Sequence, residues 1–464
     1  MQRWSVIRHP LILPAIVLAA LAAFAPFLGG GLLTDDFVHV ERIVRDGGGL
    51  AGLVAAPDAF GFHRPVTQAS LALDALVNGG TPAAFRVTNL ALHAGVVGAS
   101  FIVARLILSA SLAAWLATLA FALTPKAHPI AVLWISARAD LLMALFSLIA
   151  TAAWIVWTRR GAARWGWLVA AAYVLALLSK ETALLLPVML LATPQAARPF
   201  QERAGAAAGM IAATAPMLWW RMQVGALMPL SADAHYNLVT PVFGWIRNGT
   251  NCFFRMLPSP LALFGLVGLP ALATRSAPRG GSGGDGGLHL GPVLIFGALW
   301  TLVFLLPALP IEARSELYLY LPTFGICLVA GYLVERWINT TAPRRAVAIG
   351  LAVYVLALGT YQVSRSLAIH RDLVFSARLV DALATSAILE NRETPVTLVP
   401  ADAETRRFLQ DAIGGYLDVV MRHALGPQRY SASVEYQGGV DESVGLRLLC
   451  RYGENRLILR RLGA

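Results

Sequence analysis

Two adjacent carboxylates, Asp35 and Asp36, follow directly on the first long apolar run of the chain. A charge held beside a bilayer is costly unless it is paired or hydrated, so its presence there needs a reason. A carboxylate in that place can take a proton from an acceptor hydroxyl. Side chains of successive residues diverge on a helix or a strand, so one of the pair should face a site while the other pairs with a base or caps the following helix. Farther along come Arg64 in Phe62-His63-Arg64-Pro65, Asn89 and His93 at helical spacing, and His128, Trp134, Ser136, Arg138 and Asp140. Ser179-Lys180-Glu181 and then Arg314, Glu316, Tyr318 and Tyr320 complete the series. Guanidinium and ammonium groups neutralise and hydrogen-bond phosphate. A base together with such cations can move a group off a phosphate leaving group.

Each of these residues also has a plainer role. Asp35-Asp36 is a ready helix cap, and His93 alone reads as a satisfied interior histidine. Lys180-Glu181 can be an interfacial salt bridge, Arg138 and Asp140 can cap a helix, and Tyr318 and Tyr320 suit an aromatic belt. Convergence favours chemistry over these roles, because the topology below puts them all on one side of the membrane.

The elements that must position these residues are apolar helices. Of 464 residues, 57% are hydrophobic and 14% charged, against about a quarter charged in a soluble domain. Apolar runs of roughly 20 residues recur, each long enough to cross a bilayer. The formal charge of +11 comes from bases clustered between those runs, which is the positive-inside pattern and not a nucleic-acid groove. Arg3 and Arg8 place the N-terminus inside, and the run 10–33 lacks a cleavage pattern, so it reads as a retained first span. Residues 34–85 then form a long outer loop with short interfacial helices. Roughly eleven spans follow from the alternation of runs and basic loops, leaving the C-terminus outside. Lysine occurs only at Lys126 and Lys180. Cys252, Cys327 and Cys450 show neither metal spacing nor a disulfide framework. The glycine-rich stretch 279–287 lacks the Lys-Ser/Thr ending of a phosphate loop and reads as a linker.

The fold class expected is therefore an all-α polytopic membrane bundle over 1–366, followed by a small soluble α/β domain over 367–464. In the latter, 371–391 and 404–424 have helical periodicity, and 396–399, 431–436, 445–450 and 457–459 read as strands.

Five segments, in this order, resemble motifs of the GT-C superfamily of membrane glycosyltransferases. They are TDDF at 34–37, FHRPVT at 62–67, HPIAVLWISARADLL at 128–142, LLSKETALLLP at 177–187 and ELYLYLPTFG at 316–325. The branch they are most similar to is that of TMTC-like and protein O-mannosyltransferase-like enzymes. The resemblance implies inverting transfer of a sugar from a polyprenyl-phosphate carrier to a hydroxyl acceptor outside the membrane, with Asp35 or Asp36 as base. Arg64, Arg138, Lys180 and Arg314 are then candidates for the phosphate, and His93, His128, Asp140, Glu181, Glu316 and Tyr318 for substrate contacts. Two departures stand out. The late motif reads Glu316-Leu317-Tyr318 where the family carries an arginine, a role Arg314 is placed to take, and the C-terminal part lacks a tetratricopeptide period. No cofactor is required on this reading; a divalent metal stays open. The expected location is a bacterial inner membrane, with the site on the periplasmic face. The rival readings are a lipid-linked-sugar flippase or other transporter, which would need charges along both halves of a path, and a non-catalytic membrane scaffold.

Overall fold

The computed structural model describes residues 12–45, 50–108, 112–194, 196–226, 241–257, 290–312, 315–341, 344–386, 395–426, 430–435, 446–453 and 456–462. The first apolar run forms α1 (Ile12–Ala22), and the chain leaves it through a 3-10 turn at Ala25–Phe27. The polar stretch that follows holds three short helices, α2 (Asp36–Arg45), α3 (Leu50–Ala55) and α4 (Pro65–Asn78). Pro65 opens α4 where a missing N–H costs nothing, and Gly79 closes it in a left-handed conformation, φ +68°. Next come α5 (Pro82–Ile107), α6 (Leu112–Ala122), α7 (Ala127–Leu133), α8 (Arg138–Arg160), α9 (Ala163–Ser179), α10 (Leu186–Leu191), α11 (Phe200–Ala212) and α12 (Ala215–Gln223). Then α13 (Val242–Met256), α14 (Leu290–Leu305), α15 (Thr323–Thr341) and α16 (Arg344–Thr385) complete the helical part.

Four stretches are long and apolar enough to cross a membrane: Pro82–Leu108, Ile135–Arg160, Leu290–Ala308 and Arg345–Thr385. The pair α6 and α7 adds a fifth if its 61° bend marks a single broken span. Leu13–Phe27, Ala163–Ser179 and Glu181–Leu191 are apolar but shorter. The described residues thus show fewer full-length spans than the eleven expected, and the run before Arg275, expected as span 8, lies outside them, as does the linker 279–287.

Small residues let these helices approach closely, the usual device where no hydrophobic force separates protein from lipid tail. Gly325 on α15 lies against the Gly297 carbonyl and Thr301 of α14, so a Cβ there would overlap backbone. Gly291, on the same α14, has nothing within 4 Å of an added Cβ. Overpacking a tight contact costs about 1–3 kcal/mol. Gly325→Ala is therefore expected to lower the melting temperature in detergent, and Gly291→Ala to leave it unchanged; equal melting of the two variants would refute the close approach.

The C-terminal part is a four-stranded sheet of order β2-β1-β3-β4, with β1 (Val396–Pro400), β2 (Ala432–Val434), β3 (Leu446–Gly453) and β4 (Arg456–Arg461). β1 pairs parallel with β2 and β3, and β3 pairs antiparallel with β4. The parallel step from β1 to β2 needs a crossover, supplied by α17 (Ala403–Ala412) and α18 (Leu417–Leu425). Asp402 caps α17, accepting from the Thr405 N–H at 2.7 Å. The single helix expected over 404–424 is broken where Gly414 turns left-handed, φ +60°. Conversely, the segment 371–391 does not begin a new helix: no breaker separates it from the last apolar run, and α16 carries straight through. One hydrophobic core joins this part to the start of the chain, with Phe37, Leu33 and Leu32 packed among Leu373, Phe375, Phe408, Ile413 and Leu448.

Candidate functional site

Arg86, buried on α5, fixes the path from α1 to the aspartate pair. Its Nε donates to the Leu133 carbonyl at 2.8 Å, and its two amino groups donate to the carbonyls of Leu28, Gly30 and Gly31. Elements from the other end of the chain hold the same segment. The Gly31 N–H donates to Leu373 O at 2.8 Å, the Thr34 N–H donates to Ala412 O at 2.8 Å, and the Ser376 hydroxyl donates to Leu32 O. Thr34 adopts φ +42°. A β-branched residue in that region is strained by about 1–3 kcal/mol and stays there only when its surroundings over-determine it.

The two carboxylates that follow diverge. Asp36 is buried and accepts from the N–H groups of Leu33 (3.3 Å), Ile135 (3.3 Å) and Ser136 (2.8 Å) and from the Ser136 hydroxyl (2.7 Å). Burial pushes its carboxyl up, and the Arg86 charge and the Ser136 hydrogen bonds oppose that rise. It thereby ties the exit of α1 to the turn that starts α8. Asp35 is half-buried, accepts from the Thr34 hydroxyl at 2.8 Å, and lines a cavity of about 650 Å³. That volume falls in the usual range for small-molecule sites, roughly 300–1,000 Å³. Trp134 and Tyr318 form part of its wall from the membrane side, and Arg365, Asp372, Arg407 and Asp411 from α16 and α17.

Beyond Tyr318 lies a second charged group. Arg64 donates to both oxygens of Glu181, Nε to Oε2 at 3.1 Å and Nη2 to Oε1 at 2.5 Å, and Arg221 approaches the same carboxylate at 3.6 Å. Lys180 reaches both oxygens of Asp140, at 2.8 and 2.7 Å, and stands 5.7 Å from the Tyr318 ring. Three cations here meet the carboxylates of Glu181 and Asp140, Asp58 also acts on Arg221, and none of the three cations is part of the cavity lining. Burial first, then Asp140, Glu181 and Asp35, push the Tyr318 hydroxyl up to about 12, against the opposing effect of Arg64. Tyr318 is thus within electrostatic reach of Asp35 on one side and of the Lys180–Asp140 pair on the other.

Other sequence candidates sit elsewhere. Arg138 is fully buried, and its guanidinium is spent on Asn89, on Ser70 at 2.8 Å, on Asp74 at 2.6 Å and on the Phe85 carbonyl at 2.8 Å. It fastens α4, α5 and α8 together and does not reach the cavity. His93 and His128 are buried with ring centroids 4.8 Å apart, and His93 Nδ1 lies 2.7 Å from the Tyr320 hydroxyl. This aromatic cluster lies away from the cavity lining. Glu316 is held by Arg365 at 2.7 Å and Arg255 at 3.3 Å. Arg314 lies outside the described residues. Sequence reasoning missed Arg86, Arg221, Arg365 and the α17 charges. An arginine inside an apolar span, as Arg86 is, was a usable signal; the α17 residues gave none, because they read as a solvated helix face.

No protein-family model matches the sequence, and no curated protein does. The structure is similar to that of ArnT from Cupriavidus metallidurans bound to undecaprenyl phosphate, with a TM-score of 0.51 and 14% identity over 98% of each chain. It is also similar to ArnT of the same organism in the apo state, with a TM-score of 0.57 and 14% identity over 96% of this chain and 93% of that one. AglB from Archaeoglobus fulgidus, in complex with an inhibitory peptide and a dolichol-phosphate, aligns at a TM-score of 0.45 and 10% identity, over 92% of this chain and 65% of that one. The fold is that of ArnT, and with four helices among the described residues long and apolar enough to cross a bilayer the chain is an integral membrane protein.

Proposed function

We propose that this chain is a membrane glycosyltransferase that moves a sugar from a polyprenyl-phosphate carrier to an acceptor hydroxyl on the outer side of the membrane. The observation that carries the reading is Asp35, a carboxylate lining a cavity together with Tyr318, whose ring has Lys180 5.7 Å away. The carboxylate takes the acceptor proton as the acceptor oxygen bonds to the anomeric carbon. The bond from that carbon to the phosphate oxygen breaks with its electron pair, and the lipid phosphate leaves. Attack opposite the leaving group inverts the anomeric centre. Arg64, Lys180 and Arg221 hold the departing anion, a form of electrostatic stabilisation that is commonly a large catalytic term. The similarity to ArnT captured with undecaprenyl phosphate supports a polyprenyl-phosphate donor. The motifs at 128–142 and 177–187 favour the TMTC-like branch, the basic inner loops favour an outer C-terminal part, 367–464, and the Ala-, Gly- and Arg-rich composition favours a bacterial inner membrane.

The test is transfer of labelled sugar from a polyprenyl-phosphate donor by purified protein in detergent, with Asp35→Asn as control. Absence of any donor turnover by the parental protein refutes the reading. Lys180 gives a narrower check. Losing one charge-assisted hydrogen bond costs about 1.5–3 kcal/mol, or roughly 10- to 100-fold in affinity. Lys180→Ala also strands the Asp140 carboxylate, so, compared per folded molecule, it is expected to weaken polyprenyl-phosphate binding by that factor, and Lys180→Arg to restore part of it. Unchanged affinity in Lys180→Ala removes the lysine from the phosphate site.

A further inference from the structure

We propose that the wall of the cavity built by α16, α17 and the turn before α18 is an acceptor subsite for a saccharide, so that the hydroxyl Asp35 deprotonates is a sugar hydroxyl and not that of a peptide serine or threonine. This rests on the glycosyltransferase reading and adds the acceptor class to it. The wall presents Arg365, Arg407, Gln410 and Asp411, with the rings of Tyr416 and Phe60 beside them. Guanidinium, carboxamide and carboxylate groups are planar and offer paired donors or acceptors at the spacing of two neighbouring sugar hydroxyls. Both signs of charge are present, so the wall does not select an anion; it suits a neutral, polyhydroxylated ligand. Arg407 and Asp411 are one helical turn apart and only loosely paired, at 4.0 Å, with side chains 58% and 50% exposed. Their hydrogen-bonding groups are therefore available to a ligand at little desolvation cost. Phe60 and Tyr416 meet edge to face, centroids 6.2 Å apart, and supply ring surface on which the C–H face of a sugar can rest.

The same geometry offers little to a peptide. Extended peptides are commonly recognised by adding a strand to a sheet edge, and none of the strand residues described lines this cavity. The wall and the base also form one unit. The Thr34 N–H is bonded to Ala412 O, so Asp411 and Asp35 each lie one residue from that hydrogen bond. A ring seated on the wall shares the cavity with Asp35.

The experiment uses the full-length protein in nanodiscs with a labelled polyprenyl-phosphate hexose. It offers, in parallel, p-nitrophenyl hexosides and N-acetylhexosaminides, and a serine/threonine peptide. Label is expected on a saccharide. Arg407→Ala and Gln410→Ala are expected to raise KM for that saccharide about tenfold, the value of roughly one hydrogen bond, with kcat changed less. Label on the peptide and on no saccharide overturns this inference and leaves the glycosyltransferase reading standing. Saccharide transfer with KM unchanged in both variants overturns the subsite. No transfer to any acceptor and no release of sugar to water overturns both readings.

Discussion

Asp35→Asn is expected to insert and fold like the parental chain and to lose sugar transfer by about 10²- to 10⁴-fold, the usual cost of removing a general base. Asparagine keeps the shape, and its carbonyl oxygen can still accept from the Thr34 hydroxyl. The negative charge goes, and with it the capacity to take a proton. Asp36→Asn is expected to behave differently, because all its contacts are with donors from Leu33, Ile135 and Ser136. An amide must turn N–H groups toward some of those donors, leaving a buried group unsatisfied at about 1–3 kcal/mol. Its signature is a lower melting temperature, with activity falling only through loss of the folded form. The two variants are therefore compared by transfer rate and by thermal unfolding together. Parental transfer by Asp35→Asn would sink the proposed mechanism, and equal melting of the two variants would sink the division of roles between the carboxylates.

The sequence makes some of this site legible and hides the rest for definite reasons. Asp35 and Tyr318, which line the cavity, stand out in the sequence because polar residues at the ends of apolar runs are conspicuous. The strands at 396–400 and 446–453 are visible because short β-branched or leucine-rich runs sit between turn residues. What periodicity does not carry is contact between distant segments. The strain at Thr34 is upheld by Ala412, and the path into it by Leu373 and Ser376, hundreds of residues away. The sequence separates the C-terminal part as a domain of its own; in three dimensions it forms a wall of the cavity and is bonded to the segment carrying Asp35. The boundary read at 366/367 falls within α16, whose membrane-level and outer turns form one continuous helix. Arg138 shows the opposite failure. Its motif marks it for the phosphate, and its surroundings give it another task.

That task sets the second large expected effect. Arg138→Met should destabilise the protein by about 3–5 kcal/mol, the range for breaking a buried ion pair by removing one partner. The side chain of Asp74 is only 9% exposed, and that of Arg138 is not exposed at all. Removing the guanidinium leaves the Asp74 carboxylate with a hydrogen bond from the Thr88 hydroxyl at 2.8 Å in place of an ion pair, and also strips the Phe85 carbonyl, Ser70 and Asn89 of a donor. Replacing both charges with apolar residues of similar volume removes the stranded carboxylate, and such replacements are often close to neutral. The double variant Arg138→Met/Asp74→Leu should therefore melt closer to the parental protein than Arg138→Met does, although one variant carries more substitutions than the other. A catalytic arginine would give a different pattern: the single variant would fold normally and fail only in transfer, and the second substitution would rescue nothing. Thermal unfolding of the three proteins in the same detergent separates the two cases. A single variant that melts with the parental chain would return Arg138 to the list of phosphate-binding candidates.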